Sequence, residues 1–326
     1  MSAGLSAAPR RQYPAAMTWS SEASPRDFVG YGRHEPSVRW PNREKLVISL
    51  VLNYEEGSEY SKLDGDPYND GWGEYGTDVV DGPRDLGNET HFEFGSRVGV
   101  WRLARLFDRF AVPVTINACA VALERNPEVA SWILERGHDV MGHGWRWREY
   151  HATDRQNEIQ DLHLALESFE RVLGARPLGW NVRTMPSPNT LEILASEGFV
   201  YSSDPANDEI PYPVQIGERS ILIIPYSHVY NDERYFIAPT FSTSRHFAET
   251  LEAAVDYLCE DVDHGAAPRM MTVALHARWS GQASRTAAVR RFLDYIRRRN
   301  DVSFMRRIDI ANWWLANAGG WDHGQT

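Results

Sequence analysis

Leu46-Val47-Ile48-Ser49-Leu50-Val51-Leu52-Asn53-Tyr54-Glu55-Glu56-Gly57 carries the strongest structural signal in the chain. Its first seven residues are apolar except Ser49, and the run ends in two adjacent carboxylates and a glycine. A continuous Val/Ile/Leu run of this length reads as a strand buried on both faces, the kind a parallel sheet uses. Glu55 and Glu56 then fall where the strand gives way to a loop. In parallel α/β sheets and barrels, that carboxyl end is where chemistry is assembled. Taken alone, the two acids could equally make a solvated turn.

On both sides of this run, strand and helix signals alternate. Further apolar strands are expected at 113–119, 138–143, 177–182, 199–204, 221–225, 270–275 and 303–306. Helical periodicity marks 94–110, 126–135, 154–173, 188–197, 244–260 and 285–298, with a last helix around Trp313 and Trp314. Asn126 before Pro127 has the form of a helix start, and Gly137, Gly174 and Gly198 stand where helices stop. Regular alternation calls for an α/β fold whose parallel sheet is closed or nearly closed. The polar, Gly-rich excursion over 58–88 is long enough to be a lid or a subunit contact.

The 326 residues, 42% of them hydrophobic, suffice for one catalytic domain over 27–326, preceded by a loose arm over 1–26. A net charge of −11 argues against nucleic-acid or anionic-membrane partners. Two cysteines, Cys119 and Cys259, provide neither a disulfide framework nor a cysteine zinc site. No run approaches the ~20 apolar residues that span a bilayer, and the N-terminal residues lack the apolar core of a secretory signal. A cytoplasmic protein acting on a small molecule is the expectation.

The strand ends deliver Glu55, Glu56, His143, Arg183, Asp204 and His276 to one rim. A carboxylate can draw a proton from water, an imidazolium can protonate a leaving nitrogen, and a guanidinium can hold an anion or a developing oxyanion. Each member also has a plainer reading: a hydrogen-bonded histidine, an Arg183 paired with a neighbouring acid, an Asp204 that caps a turn. A hydrolytic zinc site would show two histidines four residues apart. Here His143-Gly144-Trp145-Arg146-Trp147 ends in a tryptophan, so no metal is expected. The weaker alternative is one zinc ion held by Glu56 and His143.

The chain resembles the polysaccharide deacetylase (NodB-homology) superfamily, and within it the cofactor-independent allantoinase branch. The match rests on 51–57, 122–127, 143–147, 187–190, 208–212, 275–278 and 306–310, in order. The resemblance implies a deformed (β/α) barrel of about seven parallel strands and a homo-oligomer, a dimer or tetramer. Glu55 and Glu56 stand at the deacetylases' paired aspartates, one a base and one a metal ligand. His143 matches the first metal-binding histidine, Trp147 replaces the second, and His276 matches the general acid. Val182 before Arg183, the Met185-Pro186 lengthening and Pro213 depart from the branch on loops expected to touch substrate.

The resulting expectation is ring-opening hydrolysis of a cyclic amide, ureide or imide. Glu55 serves as base with a pKa raised by desolvation, assisted by Glu56, while His276 is the acid. His143 and Arg183 position substrate and oxyanion, with Asn53, Trp147, Trp180, Asp204 and Arg278 as further contacts. The alternatives are deacylation of a linear amide or amino sugar, metal-assisted, and a non-catalytic relative that binds a small molecule.

Overall fold

The computed structural model describes residues 17–18, 26–74, 80–237 and 240–317. Its centre is a curled, mostly parallel sheet with strands β1 (Met17–Thr18), β2 (Leu46–Tyr54), β3 (Thr115–Ala118), β4 (Asp139–Gly142), β5 (Gly179–Trp180), β6 (Tyr201–Ser202), β7 (Tyr212–Ile216), β8 (Arg219–Ile223), β9 (Arg269–His276) and β10 (Val302–Phe304). The spatial order is β1-β7-β8-β6-β5-β4-β3-β2-β10, with β9 on the other edge of β2. Strand β2 is thus shared: β9 runs along residues 46–53, while β10 takes 46–48 and β3 takes 51–54. All nine residues of β2 are buried.

Period-two alternation divides β2 between two cores. Leu46, Ile48, Leu50, Leu52 and Tyr54 pack outward, in one cluster with Leu103, Phe107, Phe247, Val255 and Phe292 of the surrounding helices. Val47 and Val51 face inward with Met141, Tyr201, Leu222, Met270 and Trp314. Ser49 and Asn53 share that inner face, so Asn53 lies at the mouth of the barrel. The helices are α1 (Leu86–Phe94), α2 (Val100–Phe110), α3 (Ala120–Arg125), α4 (Pro127–Arg136), α5 (Arg155–Leu173), α6 (Thr190–Ser196), α7 (Ser244–Asp263), α8 (Ala277–Ser280), α9 (Ala283–Ile296) and α10 (Arg307–Asn317).

The outer edge of β9 is stitched to the chain on the far side. Ala274 N–H donates to Tyr230 O at 3.0 Å and Met270 N–H to Glu209 O at 2.8 Å. Inside the seam, Arg307 donates to Ser203 Oγ at 2.9 Å, Ile224 O at 2.8 Å and Thr272 Oγ1 at 2.7 Å.

The expected deformed α/β barrel is what forms, with five differences. The described sheet has ten strands rather than about seven. Strand β7 pairs antiparallel with β8 across the two-residue turn Gly217-Glu218, whose Gly217 has φ +59°. Pro213 hid this strand, since proline cannot donate to a ladder. In the arm over 1–26, Met17 and Thr18 pair with Val214 and Gln215; most of that arm, and residues 75–79 of the 58–88 excursion, lie outside the described residues. The helix expected over 94–110 begins earlier, at Leu86, and a π-helical turn at Gly95–Gly99 separates α1 from α2. Asn126 precedes α4 but does not cap it: its amide donates to Ser96 Oγ at 2.9 Å.

Candidate active site

The parallel strands point their carboxyl ends at one cleft of about 430 Å³, counting the open solvent at its mouth. Asn53, Glu55, His143, Trp147, Asn181, Arg183, Asp204, Tyr226, Asn231 and His276 are among the residues lining it. The register explains why residues distant in sequence meet. Asn53 lies opposite His276 across β2 and β9, and opposite Asn117 across β2 and β3.

Glu55 is the hub. One carboxylate oxygen stands 3.2 Å from His143 Nε2 and 3.4 Å from His276 Nε2, while the other accepts from Arg278 Nη1 at 2.7 Å. Burial by itself would raise the Glu55 pKa, but the Arg278 guanidinium and the His276 imidazolium hold it well below the ordinary carboxylate range. The pKa shift is thus opposite to the expected rise: positive neighbours outweigh desolvation, and Glu55 is ionised at neutral pH.

His276 is braced from behind. Its Nδ1 lies 2.6 Å from Asp232 Oδ1, and its backbone N–H donates to Asp232 Oδ2 at 2.8 Å. Asp232 is fully buried and also accepts from the Ser280 hydroxyl at 2.5 Å and the Ser280 N–H at 3.2 Å. Burial opposes charge on this imidazole, yet Glu55 and Asp232 on its two sides raise its pKa to about 9. An imidazolium aimed at the cleft is thus available as a proton donor across the neutral range.

Two partners compete for one nitrogen of His143. Nδ1 lies 2.6 Å from the Asn181 carbonyl, which only accepts, so Nδ1 carries a proton. Nε2 lies 3.0 Å from the Trp147 indole N–H, which only donates, and 3.2 Å from Glu55 Oε1, which accepts when ionised. Whether it accepts from Trp147 or donates to Glu55, Nε2 is engaged and keeps no free donor for a substrate oxygen, against the expected part of His143 in holding the oxyanion.

Four further expectations are revised by what the side chains touch. Glu56 does not line the cleft. Its carboxylate accepts the Glu55 and Arg278 backbone N–H groups, each at 3.0 Å, and faces a separate hollow beside Ser96 and Arg125. Glu56 and His143 are consequently not assembled as a metal pair. Among the described residues, no group of three or more His, Cys, Asp or Glu side chains is arranged to hold a metal ion. Arg278 is fully buried behind Glu55, with its guanidinium over the Phe92, Trp147 and Trp279 rings and its Nε donating to Trp72 O, so it positions the base and does not contact the cleft. Trp180 is a core residue packed edge-on to Phe199. Arg183 does line the cleft, but its N–H groups go to Asp70 at 2.6 and 3.3 Å, to Glu149 at 2.9 Å and to Trp147 O at 3.1 Å.

The remaining expected residues are in place. Trp147 forms a wall, with Arg183 stacked 3.6 Å from its ring centroid. Asp204 accepts the Val182 N–H at 2.7 Å, and burial pushes its carboxyl up to about 6. Asn53 belongs to an amide ladder on the cleft floor: Asn117 donates to Asn53 at 2.8 Å and to Asn181 at 3.1 Å, and Asn181 donates to Ser203 O at 3.0 Å.

Sequence reading missed Asp232, Tyr226, Asn231, Asn117 and Asn181. A signal existed for the first three, since Tyr226 to Asp232 directly follow a strand-like run, at a carboxyl end. The two amides were hidden within or beside apolar strand segments.

Comparison with known proteins identifies the family and the fold. A family profile described as Polysaccharide deacetylase matches residues 90–199. Among solved structures, a probable polysaccharide deacetylase from Pseudomonas aeruginosa PAO1 superposes with a TM-score of 0.86 at 37% identity, covering 90% of this chain and 98% of that one. PuuE allantoinase superposes with a TM-score of 0.85 at 36% identity, with the same coverage. A Schizosaccharomyces pombe protein assigned to the polysaccharide deacetylases is 31% identical over 316 residues, 89% of this chain and 97% of the relative. With the same fold and nearly full-length similarity to these relatives, the chain belongs to the polysaccharide deacetylase family.

Proposed function

We propose that the chain hydrolyses a non-peptide carbon–nitrogen bond, opening a cyclic amide, ureide or imide ring with water activated by Glu55 and without a metal. The observation that carries this reading is the Trp147 indole N–H seated on His143 Nε2. The imidazole nitrogen facing Glu55 is already occupied, and the second carboxylate, Glu56, is turned away. What remains is an acid–base pair. Ionised Glu55 takes a proton from water as the water oxygen bonds to the ring carbonyl carbon, and His276 protonates the departing nitrogen as the carbon–nitrogen bond breaks. The likeness to PuuE allantoinase supports a ring substrate, and the small polar cleft accommodates a compact heterocycle better than a polymer chain.

The test is a hydrolysis panel of allantoin, hydantoin, dihydrouracil, succinimide and N-acetylated amino sugars, with and without chelator. Ring opening that chelator leaves unchanged, and that Glu55→Gln lowers by about 10²–10⁴-fold, is the expected result. Turnover of acetylated sugars alone, or activity lost to chelator and restored by zinc, would overturn it.

A further inference from the structure

Attack of water on a carbonyl places charge on its oxygen, which calls for a hydrogen-bond donor beside the Glu55–His276 pair. The groups first expected there are largely committed: Arg183 directs four of its five N–H donors to Asp70, Glu149 and Trp147 O, and His143 Nε2 is engaged by Trp147 and Glu55. Tyr226, just beyond β8, lines the cleft. Its oxygen receives two N–H groups, from Asn53 Nδ2 at 3.2 Å and Asn231 Nδ2 at 3.4 Å.

Backbone partners fix the orientation of both amides. Asn53 Nδ2 also donates to Leu275 O at 3.2 Å, so that atom must be the nitrogen. Asn231 Oδ1 accepts the Glu233 N–H at 2.9 Å, which leaves its nitrogen for Tyr226. A phenol has two acceptor sites and one donor. With both neighbours donating, the Tyr226 proton points at neither of them and is free to turn toward the open side, which is the cleft. Burial raises the phenol pKa, so the proton stays on.

We propose that Tyr226 is the catalytic hydrogen-bond donor to the scissile carbonyl oxygen, a role that rests on the ring-opening reading above. As the water oxygen bonds to carbon and Glu55 takes the water proton, the carbonyl π pair moves onto oxygen, which the Tyr226 O–H holds. When the carbon–nitrogen bond breaks, that pair re-forms the carbonyl, His276 gives its proton to nitrogen, and Tyr226 keeps its own. The Asn53 and Asn231 amides polarise the phenol and fix its direction.

The experiment compares the parent, Tyr226→Phe and Glu55→Gln on whichever ring the panel identifies, and on its analogue with sulfur at the scissile carbonyl. Tyr226→Phe is expected to stay folded with a lowered melting temperature, because two buried amides lose their acceptor, and to lower kcat by about 10²–10³-fold, with KM changed less than about threefold. It should also lose most of the parent's preference for the oxygen substrate, because sulfur accepts hydrogen bonds poorly. If the variant folds badly, 3,5-difluorotyrosine at position 226 keeps both incoming contacts and strengthens the donor; a changed ratio of kcat for the oxygen and sulfur substrates supports the role, and an unchanged ratio overturns it. A folded Tyr226→Phe within about fivefold of the parent, while Glu55→Gln is inactive, overturns the Tyr226 assignment alone. A parent that opens no ring overturns the function beneath it.

Discussion

Glu55, His276 and Asp232 form a line of alternating charge, and each charge sets the protonation of the next. Arg278 and His276 keep Glu55 ionised far into the acid range, while Glu55 and Asp232 keep His276 protonated up to about 9. Turnover should therefore be flat through neutrality and decline as pH passes about 9, where the acid loses its proton. Asp232→Asn removes one charge that raises the His276 pKa, so its alkaline limb moves to lower pH. Profiles of kcat against pH for the two proteins check this, and coincident limbs would count against Asp232 as the residue that sets the acid. At this scale the sequence placed Glu55, His143, Arg183 and His276 at one rim because each ends a strand. It could not show that Arg183 is engaged by Asp70, which lies 113 positions away.

Among the elements, the excursion after β2 matters most. Its described part, through Glu74, is packed onto the wall of the site. Asp70 binds Arg183, Asp66 binds Arg146 at 2.6 Å, and Trp279 Nε1 donates to Gly73 O at 3.0 Å. Asp70 and Arg183 are both almost fully buried, so this pair latches loop to barrel. Removing Asp70 leaves the buried Arg183 with Glu149 as its remaining carboxylate, a loss of up to about 3–5 kcal/mol. Asp70→Ala should lower unfolding stability by that amount, and Asp70→Ala/Arg183→Met should regain part of it; denaturant melts that simply add would falsify the latch. The π-helical turn between α1 and α2 has a similar cause. A Cβ at Gly95 would lie 2.5 Å from a Glu56 carboxylate oxygen, so only glycine lets the helix pass over the carboxylate that orders the Glu55 and Arg278 backbone. Strand and helix alternation was legible because it repeats locally. This turn was not, because its reason lies on another element.

For the whole molecule, buried titratable groups link stability to pH. His276 has its pKa raised to about 9 against an unfolded value near 6.5, so its stabilising contribution is full below about 6.5 and lost as pH rises through 9. Burial raises Glu59 to about 8 against an ordinary 4.5, so between those values the unfolded chain releases a proton that the folded chain keeps, and stability falls. His138 acts oppositely at lower pH: burial brings it down to about 4, so stability rises from there toward 6.5. Urea midpoints should decline from about pH 6.5 to 9, with Glu59→Gln flattening the decline below pH 8. A midpoint that climbs between pH 7 and 9 would contradict this assignment of the buried groups.

The sequence alone determined the parallel α/β architecture and the rim on which Glu55 and His276 meet. These follow from local periodicity and from the rule that parallel strands present their carboxyl ends together. Tertiary structure alone decided which charges neutralise one another, which way Glu56 turns, and which hydrogen-bond donors stay free. Those outcomes depend on distances of 2.5–3.5 Å between residues far apart in the chain, where Coulomb and hydrogen-bond energies change steeply and no local pattern records them.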